Sequence, residues 1–204
     1  MYALIKDNNI EKIINNPKPI IIDDVQYPAK IFQLWSSAEL NAIGIYEVIT
    51  DLSNKKDEAY YINTNEEYNF ADNKVTKSWG TATPKTLEDE DAVDQDGNNL
   101  LDDDGNQIIN YGLKTEKKRI VKQQASGLLA PTDWYVVKAT EVEDYNVPEN
   151  IRTFRADVRT KSNQMETQID ACTNVEELKT LYTYTEQDDG SITRPLAEFP
   201  KEVV

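Results

Sequence analysis

Two phrases set alternating carboxylates around an Asp-Gly pair: Asp94-Gln95-Asp96-Gly97-Asn98 and Asp102-Asp103-Asp104-Gly105-Asn106. Such oxygen-rich, glycine-bent stretches can hold calcium or turn a hairpin. An EF-hand loop needs oxygen ligands at its first, third and fifth positions, glycine at the sixth and a bidentate glutamate at the twelfth. With Gly97 sixth, Ala92 opens the loop and Asp103 closes it; with Gly105 sixth, Leu100 opens it and Tyr111 closes it. Neither register has its opening ligand, so no EF-hand is expected. Asp94, Asp96, Asp102 and Asp104 remain as weak candidates for a looser metal site. The hairpin reading does better, because Asp-Gly is a strong two-residue turn signal. Turns at Asp96-Gly97 and Asp104-Gly105 set Val93 opposite Leu100, Leu101 opposite Ile108 and Leu100 opposite Ile109. The product is a three-stranded meander with aliphatic side chains on both faces. Such a ribbon needs cover, so Leu100, Leu101, Ile108 and Ile109 are expected to face a partner subunit.

Other chemistry is sparse. The chain has no histidine, which removes Ser-His-Asp and Cys-His constellations and the usual zinc sites. Cys172 stands alone on an apolar helical stripe and reads as a buried thiol. No glycine-rich phosphate loop is present among the seven glycines. No catalytic residue, cofactor or enzymatic activity is therefore expected; a carboxylate-based glycan hydrolase would need two acids facing one cleft, and no pair identifies itself. The aromatics Trp35, Tyr60, Tyr61, Tyr68 and Trp79 read as strand packing, with a sugar-stacking surface as the alternative. Asp133, Trp134, Arg155 and Arg159 form the remaining constellation. Asp133 can cap the helix that Trp134 enters, and Trp134 can pin that helix end against Phe154 and Val158. Arg155 and Arg159, four apart, share a helix face and can grip a carboxylate, either Asp133 or a partner's acid.

The 204 residues carry 37 acids and 22 bases, a formal charge of -15. That balance argues against nucleic acid and anionic membrane as partners and favours protein. No stretch approaches a membrane span, and the opening MYALIKDNNIEK turns polar too early for a secretory signal, so a cytoplasmic protein is expected. Nine acids fall between Glu88 and Asp104, followed by a basic stretch with Lys114, Lys117, Lys118, Arg119 and Lys122. These blocks can pair within the chain or between subunits of a homo-oligomer.

The elements that would position these residues define an α+β chain. Residues 1–85 read as a small antiparallel sheet with one short helix, which Ser36 and Glu39 start as a capping box and Gly44 ends. Tyr2 to Lys6 and Ile10 to Ile14 make a hairpin through Asp7-Asn8-Asn9, Ile20 to Ile22 is a short segment, and Glu58–Thr64, Glu67–Phe70 and Val75–Trp79 are further strands. Residues 86–111 are the acidic meander, 112–184 the helical region and 185–204 an extended tail. Within the helical region, Ile151, Phe154, Val158, Met165, Ile169 and Cys172 follow three-and-four spacing, and Thr173 with Glu176 reads as a second capping box opening a helical hairpin.

Leu128-Leu129, Thr132-Asp133-Trp134 and Phe154-Arg155-Ala156-Asp157-Val158-Arg159 together resemble the C-terminal module of bacteriophage tail and tail-fibre assembly chaperones. The closing Arg194-Pro195-Leu196-Ala197-Glu198-Phe199-Pro200 is similar to the aromatic-proline ending of such proteins. The resemblance covers under half of the chain. It implies a non-catalytic phage tail protein whose partners are other tail or fibre proteins, resident in the virion tail. The alternatives are a transient assembly chaperone confined to the host cytoplasm, and a carbohydrate- or receptor-binding module.

Overall fold

A computed structural model describes residues 1–201. The chain is α+β and divides into two compact units, Met1–Thr83 and Pro84–Val204.

In the first unit, asparagine and aspartate do the work that glycine does elsewhere. Strands β1 (Tyr2–Lys6) and β2 (Asn9–Ile14) turn through Asp7-Asn8, and β3 (Ile20–Ile22) and β4 (Val25–Tyr27) turn through Asp23-Asp24. All four turn residues have positive φ, the geometry of a two-residue hairpin turn whose twist matches its strands. Aspartate and asparagine tolerate that conformation better than other side chains, and the flanking Asn9 side-chain amide steadies the first turn by donating to the Asp7 carbonyl at 2.9 Å. The Asp23-Asp24 turn makes the Ile20–Ile22 segment half of a hairpin, which hydrophobic pattern alone does not reveal. A helical turn α1 (Ile31–Leu34) precedes α2 (Ser37–Ala42), so the region holds two short helices where one was expected. The Ser36–Glu39 capping box is formed. Gly44, at φ +80°, then turns the chain into β5 (Ile45–Thr50); a Cβ there would sit 2.7 Å from the Ile5 carbonyl oxygen.

The strand expected at 58–64 shrinks to β6 (Tyr61–Ile62), because Asp57 takes the Tyr60 and Tyr61 amides into a turn. A third such turn, Asp72-Asn73, joins β7 (Glu66–Ala71) to β8 (Lys74–Trp79). The five-stranded sheet runs β2-β1-β5-β8-β7. It is antiparallel except where β5 lies parallel to β8, a pairing that requires the intervening chain to cross over. Leu4, Ile14, Ile31, Phe32, Leu40 and Ile45 form the core under this sheet. Tyr60, Tyr61 and Trp79 are buried and Tyr68 is half-buried, so the expected alternative of a sugar-stacking face lacks its rings.

In the second unit, after β9 (Thr83–Pro84), β10 (Glu90–Asp91) pairs with β11 (Ile109–Asn110), and the acidic meander lies between them. Its register differs by one residue from expectation: Val93 faces Asn99, and Leu101 faces Gln107. The cause is a three-residue loop in place of a two-residue turn. The Asp94 amide donates to the Asn98 carbonyl and the Asp102 amide to the Asn106 carbonyl, with Gly97 and Gly105 at φ +84° and +83° closing each loop. The repeat has a further consequence. The Leu100 amide donates to the Ala92 carbonyl, Ile108 to Leu100, and Ala92 to Ile108, closing a triangle of backbone bonds across successive phrases.

Four helices follow: α3 (Leu113–Leu129), α4 (Asp133–Glu141), α5 (Glu149–Asp170) and α6 (Val175–Tyr182). Asp89 caps α3 from the acidic segment, accepting from the Gly112 amide at 2.8 Å and the Thr115 hydroxyl at 3.0 Å. The apolar stripe of α5 is buried as its spacing requires, with Ser162 filling the gap in the pattern. The cap before α6 sits one residue later than expected and is not a reciprocal box: Asn174 is the N-cap and accepts from the Glu177 amide, while the Glu177 carboxylate accepts from the Thr173 amide. The basic block pairs within the chain, Lys114 with Glu88, Lys118 with Asp170, Lys122 with Glu166 and Arg119 with Glu116.

The C-terminal stretch is more than an extended tail. β12 (Thr185–Glu186) and β13 (Ile192–Thr193) make a small hairpin, Leu196 is buried, and Gln168 on α5 bonds both the Pro195 carbonyl and the Ala197 amide at 2.9 Å. Phe199 packs against the Ala125, Phe154 and Val158 cluster. Residues 202–204 of the expected tail lie outside the described residues.

Candidate functional site

Leu129 ends α3, and a 3-10 turn over Ala130–Thr132 leads directly into α4. Pro131 suits the start of such a turn, since it has no amide to leave unpaired. Thr132 is fully buried, and its hydroxyl donates to the Leu129 carbonyl at 2.7 Å. Arg155 reaches this corner from α5. Its Nη1 contacts Asp133 Oδ1 at 2.8 Å, the Leu129 carbonyl at 3.0 Å and the Thr132 hydroxyl at 2.5 Å. One buried guanidinium thus ties the end of α3, the turn and the start of α4 to α5. Burial of an arginine is costly unless its charge is paired and hydrogen-bonded, and here Asp133 pairs the charge while Nη1 meets two further oxygens.

Two expectations are corrected at this corner. Asp133 is the first residue of α4 and not its cap; Thr132 occupies the cap position without a side-chain bond, and the Asp133 carboxylate goes to Arg155. Trp134 does not pin the helix against Phe154 and Val158. Its side chain is turned outward at 51% exposure and stacks on Tyr135, ring centroids 3.9 Å apart. A residue following the clamped Asp133 is carried past the α5 stripe by the helical turn, while Leu128, Leu129 and Phe199 already cover that stripe.

The rest of α4 shares this exposure: none of its residues is buried. Val136 and Val137 face solvent, as does Val142 just beyond. Lys138 lies 4.4 Å from the Tyr145 ring and 5.8 Å from the Trp134 ring, adding a cation–π contact to each. Beside α4 opens a groove of about 310 Å³ lined by Val136, Val147, Arg152, Arg155, Ala156 and Arg159. Three of its walls are arginines and none is a carboxylate. Arg152 is paired with Glu149 and Arg155 with Asp133. Arg159 bonds only the Arg155 carbonyl, at 3.3 Å, and meets no carboxylate among the described residues.

The residues expected in a partner site thus split into two groups. Asp133, Trp134, Arg155 and Arg159 come together around α4. Leu100, Leu101 and Ile108 are exposed and Ile109 is half-buried on the acidic ribbon, another part of the same unit. The metal candidates are not assembled. Asp94 accepts the Asn98 and Asp96 amides, each at 2.9 Å, and Asp102 accepts those of Asn106 and Asp104 at 2.8 and 3.0 Å. The bonds from Asn98 and Asn106 hold these two carboxylates below the usual aspartate range. Both are committed to shaping their own loops, and among the described residues no group of three acids or thiols is placed to hold a metal ion. Cys172 is buried, which pushes its thiol upward and keeps it protonated near neutral pH.

Sequence reasoning missed Val136, Val137, Lys138, Tyr145, Val147 and Arg152. The available signal was the run Trp134-Tyr135-Val136-Val137, which is apolar around the whole helix circumference. Such a helix is ordinarily buried, so its exposure is the informative observation. No family model, curated protein or solved structure matches this chain.

Proposed function

We propose that this chain is a non-catalytic bacteriophage tail protein that works by protein–protein binding, with the α4 face as its docking surface. The observation that carries the reading is a helix held rigidly at its start by the buried Arg155 clamp yet burying none of its own side chains. Tryptophan, tyrosine and arginine, the residue types that dominate binding energy at protein interfaces, are concentrated there. The resemblance to tail and tail-fibre assembly chaperones rests on the same residues, Thr132-Asp133-Trp134 and the Arg155/Arg159 pair. Partners in this reading are other tail or fibre proteins, met first in the host cytoplasm during assembly. The ordered five-stranded sheet of the first unit favours a component built into the virion tail. A transient chaperone, absent from the mature virion, is the second reading, and the chaperone-like module favours it.

Quantitative mass spectrometry of purified particles against infected-cell lysate tests both. A fixed copy number in particles supports the structural component, and abundance in lysate alone supports the chaperone. If affinity capture from infected cells recovers no tail or fibre protein, or recovers the same ones with Trp134→Ala, the reading fails.

A further inference from the structure

We infer that the acidic ribbon of one copy docks on the arginine groove of another, so that the chain assembles head to tail. The inference rests on the α4 face being a protein-binding surface and names what fills it. The groove combines an apolar floor of Val136, Val147 and Ala156 with three arginines and no lining carboxylate, in a chain whose overall charge is -15. Arg159 has no acid partner among the described residues, so its guanidinium is available to a carboxylate from outside.

The ribbon supplies the complementary features. Leu100, Leu101 and Ile108 are 42%, 57% and 42% exposed on a loop otherwise made of acids and amides. Asp94 and Asp102 are consumed by their loops, but Asp96, Asp103 and Asp104 form no ion pair among the described residues. An aliphatic stretch flanked by unpaired carboxylates fits an aliphatic floor flanked by arginines. The Ala92–Leu100–Ile108 backbone triangle and the two Asx-bonded loops hold the ribbon in shape before contact, which lowers the ordering entropy lost on docking. Opposite charges across the contact set its register. The two patches differ and sit on one chain, so their contact is heterologous: it closes a ring if the rotation permits and otherwise runs as a filament.

Sedimentation velocity of the full chain across a concentration series tests this with Arg159→Glu, Asp103→Lys and their equimolar mixture. Both positions are exposed, and far-UV circular dichroism of each variant checks that the helices persist. The wild type associates, each charge reversal weakens association by at least ~10-fold, and the mixture, which restores an opposite pair at every contact, regains it. A chain that stays monomeric throughout, or associates equally well with either reversal, overturns the inference. Monomers that still capture a tail or fibre protein through Trp134 overturn the self-docking and leave the proposed function standing. Reversal-sensitive association with no tail partner does the opposite.

Discussion

Helices α4 and α5 lie close in sequence and solve the problem of staying folded in opposite ways. α5 buries seven residues, five of them on an apolar stripe, with Arg155 and Ser162 as the polar exceptions. α4 buries none. What α5 gains from area removed from water, α4 obtains from one charged anchor at its first turn, the Arg155–Asp133 pair and the bonds to Leu129 and Thr132. Anchoring by polar contacts at one end frees the apolar side chains of α4 for another surface. A helix built that way is presented outward.

Truncation on the two helices should separate these modes most sharply. Phe154→Ala empties the core between α3 and α5 and is expected to lower stability by roughly 3–5 kcal/mol, read from urea denaturation. Trp134→Ala on the exposed helix should change the same midpoint by no more than about 0.5 kcal/mol, while lowering affinity for a bound partner by ~10-fold or more in a calorimetric titration. Equal effects on stability would dissolve the contrast.

The clamp comes next in size. Arg155→Met keeps most of the volume but leaves the buried Thr132 hydroxyl oxygen without its donor and the Leu129 carbonyl with the Thr132 hydroxyl in place of two donors, an expected cost of about 1–3 kcal/mol. Hydrogen exchange should show the α4 amides opening before those of α5. Asp133→Asn should cost under about 1 kcal/mol, because that carboxylate is largely exposed and the guanidinium keeps its other acceptors. If Asp133→Asn proves the more damaging change, the ion pair rather than the hydrogen-bonded corner is what holds α4.

The ribbon allows a smaller test. Gly105→Ala introduces a Cβ at φ +83° into open space, so the penalty is conformational, about 1–2 kcal/mol and confined to residues 102–106 in amide chemical shifts. Gly44→Ala should cost more, since its Cβ would also collide with the Ile5 carbonyl. The smallest effect is one of pH. Asp94 and Asp102 have carboxylates depressed chiefly by the Asn98 and Asn106 amides, so the loops hold in full above the ordinary aspartate range and loosen as pH falls through the depressed values. The amide resonances of Asn98 and Asn106 should move together in that acidic window and stay unchanged from there to neutral pH. A transition near neutrality would mean that another group controls the loops.

Much of the fold is legible locally. The α5 stripe, the Ser36–Glu39 capping box and the Gly44 stop each depend on residues within a few positions of one another and form as read; the first hairpin also forms, with its turn narrowed from Asp7-Asn8-Asn9 to Asp7-Asn8. The errors have local causes too. The Asp-Gly phrases support both a two-residue and a three-residue loop, and the choice went to the geometry in which Asp94 and Asp102 bond two amides at once; one residue of slip changed every cross-strand partner. The parallel β5–β8 pairing and the docking of Leu196 against α5 depend on distant segments, and no local pattern announces them.

By itself, the sequence determined an acidic α+β chain with no histidine, a repeated Asp-Gly ribbon and an amphipathic helix with arginines four apart. Only the tertiary structure decided which apolar residues stay outside. Trp134, Val136 and Val137 have the composition of a core, and whether they enter one depends on what else reaches the α5 stripe first. Leu128, Leu129 and Phe199 cover it, and Arg155 holds α4 where its own apolar side chains remain in water.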